Sequence, residues 1–390
     1  MSSVRLVHVG HLSDIHLQEG ERFEETVAAL GWAVVDMRQR GVELVIITGD
    51  VFDHLGRPST PTEREALADA LAAFCQLGPV YIIKGNHDQP LDLALFSRLP
   101  GVTVDERPRL HRVVLGQGAG ERWLDLYALP YPDLWSFGGT REAANMALRT
   151  ILAAVSPIPN VPLLLAAHLN VAGSVSSTGQ PLIGSEPEFA LGDLLDTGAA
   201  AVLLGHIHKH QALASTVVYA GSLVAHDYGE TEDKGYVLWS FDGLFAGWNF
   251  VPTFAPKRLS LDYRIDATGL LTLDGAGVAD VADLVRGHHV RLRYRIPEEL
   301  AVQFHAGDYF RSLLPGIGHA RSLKFEGIIE RRQAVRGTAV AEAVTLEAKL
   351  EAWMADQKLE QQERGRLRSL LEQAQTAART FEAAEGNGGS

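Results

Sequence analysis

The sequence predicts a layered α/β fold, and three observations carry that expectation. Short apolar runs recur from residue 4 to about residue 221, helix-like stretches separate them, and polar clusters stand just past the ends of the runs. The runs at 4–9, 44–48, 80–84, 123–129, 161–167 and 200–204 are too short for buried helices and read as strands. Residues 22–40 and 62–77 read as helices; the first places Phe23, Val27, Leu30, Val34 and Met37 on one face at a period of 3.6. Pro61 stands where a helix start tolerates a missing N–H, and Gly78-Pro79 stops the second helix. Cys75, in its last turn, is expected to be a small buried apolar residue.

Beyond residue 252 the character changes. Residues 290–296 alternate as a strand, with Val290, Leu292, Tyr294 and Ile296 on one face and Arg291, Arg293 and Arg295 on the other. From 339 to 381 two apolar stripes at helical spacing predict a helix pair, broken at Gly365 or near Asp356. One stripe is Leu346, Leu350, Trp353 and Met354; the other runs from Leu367 to Phe381. Residues 386–390 read as a flexible end.

A chain of 390 residues with 46% hydrophobic content suggests two or three domains and excludes disorder as the main state. A single cysteine excludes an intrachain disulfide framework and suggests a reducing cytoplasm, that of a bacterium or of a host if the chain is phage-encoded. No signal peptide and no apolar run of the ~20 residues that span a bilayer is visible, so no membrane partner is expected. The net charge of −13 at first argues against nucleic acid, yet it is unevenly spread. Residues 286–336 hold ten Lys and Arg against five Asp and Glu, so any protein-borne attraction for a phosphate backbone comes chiefly from there.

Five clusters follow predicted strands, where α/β sheets place ligands: Asp14-Ile15-His16, Gly49-Asp50-Val51-Phe52-Asp53, Gly85-Asn86-His87-Asp88, His168-Leu169-Asn170 and Gly205-His206-Ile207-His208. Each alone is weak, since a lone His at a strand end is more often a satisfied polar residue. Together they supply the oxygen and imidazole donors that divalent metals take, with no cysteine among them to suggest a thiolate site.

This set resembles the signature of the calcineurin-like metallophosphoesterases: D-x-H, G-D, G-N-H-[DE], H and G-H-x-H. Finer features are similar to the SbcD-type DNA-repair nucleases of that superfamily. They are the Gly49 to Asp53 form, Leu129-Pro130-Tyr131, Lys209 after the last motif, Tyr219-Ala220-Gly221-Ser222, Asp227-Tyr228-Gly229-Glu230 and Lys234-Gly235. The resemblance implies a four-layered α/β/β/α sandwich with a small α+β capping domain and a C-terminal helical segment. The division expected is 1–255 catalytic, 256–336 capping and DNA-contacting, 337–385 partner-binding and 386–390 tail. Asp14, His16 and His208 are implied to hold one metal, Asn86, His168 and His206 the other, and Asp50 to bridge them. The ions implied are two Mn²⁺, with Mg²⁺ or Fe²⁺ as alternatives.

His87 is implied to act on the leaving oxygen. Asp53 is a candidate for positioning it, and Asp88, its sequence neighbour, is another. The implied activity is a metal-dependent DNA nuclease, with 3′ to 5′ exonuclease and hairpin endonuclease action. Its implied partner is an SbcC-like coiled-coil ATPase bound through the C-terminal helices, and a homodimer is implied as well. Arg291, Arg293 and Arg295 are candidate DNA contacts. The competing reading is a phosphodiesterase for cyclic nucleotides or other small molecules.

Overall fold

The computed structural model describes residues 6–53, 57–89, 92–116, 121–132, 137, 139–177, 187–273, 281–314, 316–331, 340, 342–357 and 359–385. The expected strand start at 4–5 and the expected flexible end at 386–390 lie outside them. By compactness the chain forms two units. The first comprises Met1–Tyr263, Leu273–Tyr294 and His305–Glu326, the second Arg264–Thr272, Arg295–Phe304 and Gly327–Ser390.

In the first unit, β1 (Val7–Leu12), β2 (Leu44–Ile47), β3 (Val80–Ile83) and β4 (Val102–Asp105) run parallel in one sheet. The chain then builds a second sheet from β5 (Arg109–Leu115), β6 (Arg122–Leu129) and β7 (Leu163–His168). After the two-residue strands β8 (Asn170–Val171) and β9 (Glu188–Phe189), it adds β10 (Ala201–Gly205), β11 (Gln211–Ala214) and β12 (Val217–Tyr219). A hairpin of β13 (Gly235–Asp242) and β14 (Phe245–Pro252) returns to the first sheet and completes the order β14-β13-β1-β2-β3-β4. The second sheet is ordered β11-β12-β10-β7-β6-β5.

Side-chain alternation explains why these runs are apolar on both faces. In β2, Leu44 and Ile46 enter the core between the sheets, while Val45 and Ile47 enter the core under α1 (Phe23–Gln39) and α2 (Pro61–Phe74). In β10, Ala201 and Leu203 likewise face the inter-sheet core, and Val202 and Leu204 face the core under α3 (Arg141–Ala153). Three cores separate four layers, α/β/β/α, as expected. At about 1.5–3 kcal/mol per fully buried aliphatic side chain, burial on both faces outweighs any single polar interaction in holding the strand ends in place.

Local signals set the helix boundaries. Thr60 Oγ1 accepts the Glu63 N–H at 3.2 Å and Glu63 Oε2 accepts the Thr60 N–H at 2.7 Å, a capping box with Pro61 as the first helical residue. Glu63 Oε1 also accepts the Glu19 N–H at 2.8 Å, which ties the loop after β1 to this helix. Cys75 is the C-cap and is only half-buried, less enclosed than expected.

Strand β1 extends later than expected, to Leu12, and both its histidines find a partner at one ring nitrogen. His8 Nδ1 lies 2.9 Å from Ser240 Oγ and His11 Nε2 lies 2.9 Å from Thr48 Oγ1. The β13–β14 hairpin is absent from the expected strands although Asp242-Gly243, with Gly243 at φ 59°, carries a hairpin-turn signal. It pairs β13 antiparallel to β1 and buries Trp239 between the sheets.

Three further strands, Arg258–Ile265, His289–Pro297 and Ser322–Glu330, are neighbours in a separate sheet. The expected alternation at 290–296 holds: Val290, Leu292 and Ile296 are buried and Arg295 is exposed. In the second unit the helices Leu346–Asp356 and Gln361–Glu385 pack on each other, with Arg368 paired to both carboxylate oxygens of Glu351 at 2.5 and 2.8 Å. The break falls after Asp356, and Gly365 lies inside the second helix. Met354 is buried, whereas Leu346, Trp353 and Leu370 are exposed.

Candidate metal centre

The five clusters converge where β1, β2, β3, β7 and β10 end. Asp14 and His16 follow β1, Asp50 and Asp53 follow β2, Asn86 and His87 follow β3, His168 closes β7, and His206 and His208 follow β10. Main-chain bonds lace these turns together. The Asp14 N–H donates to Gly49 O at 3.1 Å, and the His16 N–H donates to Asp50 O at 2.9 Å. Among the described residues five non-glycine residues have a positive φ, and four of them are Asp14, His16, Asp50 and His206, at 49°, 47°, 50° and 98°. A left-handed residue of this kind costs roughly 1–2 kcal/mol, and its persistence at four site positions marks a function that the surrounding packing sustains. The backbones also approach closely, since a Cβ on Gly85 would overlap the Asp50 carboxylate and backbone nitrogen.

Around Asp50 the side chains form two sets. On one side Asn86 Oδ1 lies 2.9 Å from His168 Nε2 and 3.0 Å from His206 Nδ1, with His168 Nε2 3.4 Å from Asp50 Oδ2. On the other, His208 Nε2 faces His16 Nε2 at 3.1 Å, and His16 Nε2 lies 3.6 Å from Asp50 Oδ2. Asp14 receives the His206 N–H at 3.2 Å and lies 4.0 Å from His208 Nε2.

The opposite ring nitrogens are anchored from behind. His168 Nδ1 lies 2.6 Å from Thr48 O, His208 Nδ1 lies 3.0 Å from Glu230 Oε1 and His16 Nδ1 lies 3.3 Å from Asp53 Oδ1. Such anchoring fixes the Nδ1–H tautomer and turns each Nε2 lone pair toward the centre, the pattern of metal-ligating histidines. The donors grouped as Asp14–His16–Asp50 and Asp50–His168–His206 fit divalent ions by both spacing and chemistry.

The electrostatics follow from this crowding. Burial would raise Asp50 and lower His168. Their mutual attraction wins at both, holding the Asp50 carboxyl below its usual range and raising His168 to about 9. Burial would also lower His208, but its bond to Glu230 raises it.

His87 is held to one side. Its main-chain N–H donates to Asp50 Oδ1 at 2.8 Å, and its ring Nδ1 lies 3.0 Å from Asp53 Oδ1, a bond that raises its pKa above the ordinary histidine value. The other oxygen of Asp53 accepts Arg22 Nη2 at 3.1 Å. Bonds to His16 and His87 hold the Asp53 carboxyl well below the usual range. Asp88, the sequence neighbour considered for the same task, is used otherwise. Its two oxygens accept the N–H groups of Val51 and Phe52 at 3.0 Å and of Gly85 at 2.9 Å, and so brace the loops themselves.

Two residues at the site were not singled out as site residues by the sequence. Glu230 backs His208, and His226 brings its ring edge-on to His16 and His208, with centroids 4.6 and 4.5 Å away. His226 stands alone between Ala225 and Asp227, without the paired-ligand spacing that marked the five clusters. The arginine candidates are differently placed. Arg291 donates to Ser260 Oγ at 3.3 Å, pairs with Glu326 at 3.6 Å and covers the Tyr228 ring, and Arg293 pairs with Asp262 at 2.5 Å.

Known proteins agree with this geometry. The calcineurin-like phosphoesterase pattern matches residues 7–210. The SbcD subunit of the SbcCD nuclease of Rhodobacter capsulatus is 32% identical over 232 residues, covering 49% of this chain and 56% of that protein. The corresponding SbcCD nuclease subunit of Bacillus subtilis is 24% identical over 245 residues, covering 56% and 62%. The Bacillus subtilis metallophosphoesterase YhaO is 26% identical over 257 residues, covering 58% and 56%. The chain thus spans less than two thirds of the length of these curated relatives. No helix among the described residues is long and apolar enough to cross a membrane. With the pattern matched over half its length and its donor residues gathered at the strand ends, the chain belongs to the calcineurin-like phosphoesterase family and is a metal-dependent phosphoesterase.

Proposed function

We propose that this phosphoesterase is a DNA nuclease of the SbcD type, cleaving phosphodiesters with two bound divalent ions, Mn²⁺ before Mg²⁺ or Fe²⁺. The observation that carries the reading is the convergence of Asp14, His16, His208, Asn86, His168 and His206 around the Asp50 carboxylate, in a chain similar across about half its length to two nuclease subunits. Asp14, His16 and His208 would hold one ion and Asn86, His168 and His206 the other, with Asp50 between the two sets. Two such ions, when bound, would supply Lewis-acid activation of water and neutralisation of charge at the phosphate.

The chain's own residues do the rest. The bond from Nδ1 to Asp53 raises the His87 pKa and so favours the protonated ring, which leaves Nε2 as the proton donor to the departing oxygen. Arg22 and His16 fix Asp53, and Asp53 therefore positions His87. Arg295, exposed on its strand, is a candidate backbone contact; Arg291 and Arg293 would have to leave carboxylate partners to serve as others. The exposed Leu346, Trp353 and Leu370 of the C-terminal helices suit docking to a coiled-coil ATPase of the SbcC kind. The three-part division at 255 and 336, and a homodimer, belong to the same reading.

The test is the full chain with Mn²⁺ on linear duplex DNA, hairpin DNA and a bis-nitrophenyl phosphate ester. DNA cleavage that Asp50→Ala abolishes supports the reading. Ester cleavage with DNA left intact, with and without the ATPase, would move the assignment to a small-molecule phosphodiesterase.

A further inference from the structure

We infer that His226 is an additional protein donor to the metal position built from Asp14, His16, Asp50 and His208; this rests on the two-metal reading above. The sequence pattern of the family ends at residue 210, so His226 lies outside it.

Three observations lead to the assignment. One donor nitrogen each of His16, His208 and His226 falls within 4.8 Å of the others, the spacing of ligands around one ion. The Nε2 of His226 is shut off from solvent and has no hydrogen-bond partner. A buried polar atom left in that state costs about 1–3 kcal/mol and calls for a partner; His11 Nδ1 shares the state, but of the two only His226 stands among metal donors. The third observation is the frame that aims it. Glu230 Oε2 accepts the His226 main-chain N–H at 2.7 Å while Glu230 Oε1 holds His208 Nδ1 at 3.0 Å, and Lys234 pairs with the same carboxylate at 3.0 Å. One carboxylate therefore sets both residues.

A comparison inside the chain shows what a structural histidine looks like here. His289 is buried, and both its nitrogens are taken, by Ser322 Oγ at 2.7 Å and Glu25 Oε1 at 2.6 Å. His226 lacks that closure at Nε2, and the rings of His16 and His208 stand edge-on to it. With His226 the position has three imidazoles beside its carboxylates, a donor set that favours borderline ions such as Co²⁺, Fe²⁺ or Zn²⁺ over Mg²⁺.

The experiment titrates Co²⁺ into the chelator-stripped full chain, following its visible ligand-field absorption together with bound-metal stoichiometry. Wild type, H226Q, H226A, H87A and D50A are compared, with circular dichroism to verify folding; the near-isosteric H226Q carries the test if H226A does not fold. The expected result is that H226Q weakens one of two binding steps by about tenfold or more and changes that step's spectrum. In H87A both steps are retained. Unaltered affinity and spectrum in the folded H226Q, with D50A disturbed, overturns the His226 assignment alone. Undisturbed binding in D50A as well overturns the two-metal reading on which it rests.

Discussion

Each side of the centre sets two imidazoles beside one side-chain oxygen, the Asp14 carboxylate on one and the Asn86 amide on the other, and the two sides are braced differently. Around His168 the support is main chain: Thr48 O takes Nδ1, and Thr48 Oγ1 is in turn met by the buried His11, so the support sits within the ends of β1 and β2. Around His208 the support is a carboxylate, Glu230, delivered by the long connection between β12 and β13 and held by Lys234. A carbonyl fixed in a strand-end turn orients a ring with little freedom. A carboxylate also makes the ring a stronger donor, and it can be lost by a single side-chain change. The first side is therefore built into the sheet and the second is assembled on it.

That contrast can be broken or sharpened by substitution. The largest effect is expected at His87, which belongs to neither side. His87→Ala is expected to lower turnover about 10²–10⁴-fold while leaving metal stoichiometry unchanged, as read by steady-state kinetics beside metal analysis. Loss of an ion instead would place His87 among the ligands. Next, Glu230→Gln is expected to weaken one metal step about 10–100-fold and to spare the other. Equal weakening of both steps in a metal titration would erase the distinction between the sides.

The smallest effect concerns His11, whose pKa burial, and then the His210 charge, lowers to about 3 in the folded chain. The unfolded chain takes up a proton there near pH 6.5 while the folded chain does not, so stability is full above pH 6.5 and is lost as pH falls toward 3. The slope is about 1.4 kcal/mol per pH unit. Denaturant melts in chelator should show this acid loss in wild type and a shallower one in His11→Gln. Parallel curves would mean that His11 charges inside the fold.

Much of the candidate centre was legible because its donor residues sit within a few residues of strand ends. A strand's length and apolar alternation are local properties, so Asp14, Asp50, Asn86, His168 and His206 could be placed at one edge of the sheets from spacing alone. Asp53 and Asp88 show where locality fails. Both are acidic and near His87 in the motifs, yet the path of the chain after β2 brings Asp53 to the ring, and Asp88 turns inward to the backbone N–H groups. The end of the first strand was illegible for a related reason, since hydropathy sees His11 as polar and cannot see Thr48 waiting for it.

The sequence by itself determined the layered α/β class, the candidate donor residues and the family, because periodicity and short motifs encode them within a few residues. Only the tertiary structure decided that the β13–β14 hairpin lies antiparallel beside β1, that Glu230 stands behind His208 and that His226 meets His16. The contacts with β1 and with His16 join segments some two hundred residues apart in the chain, and their geometry is set by how two sheets pack across a shared core rather than by any local pattern.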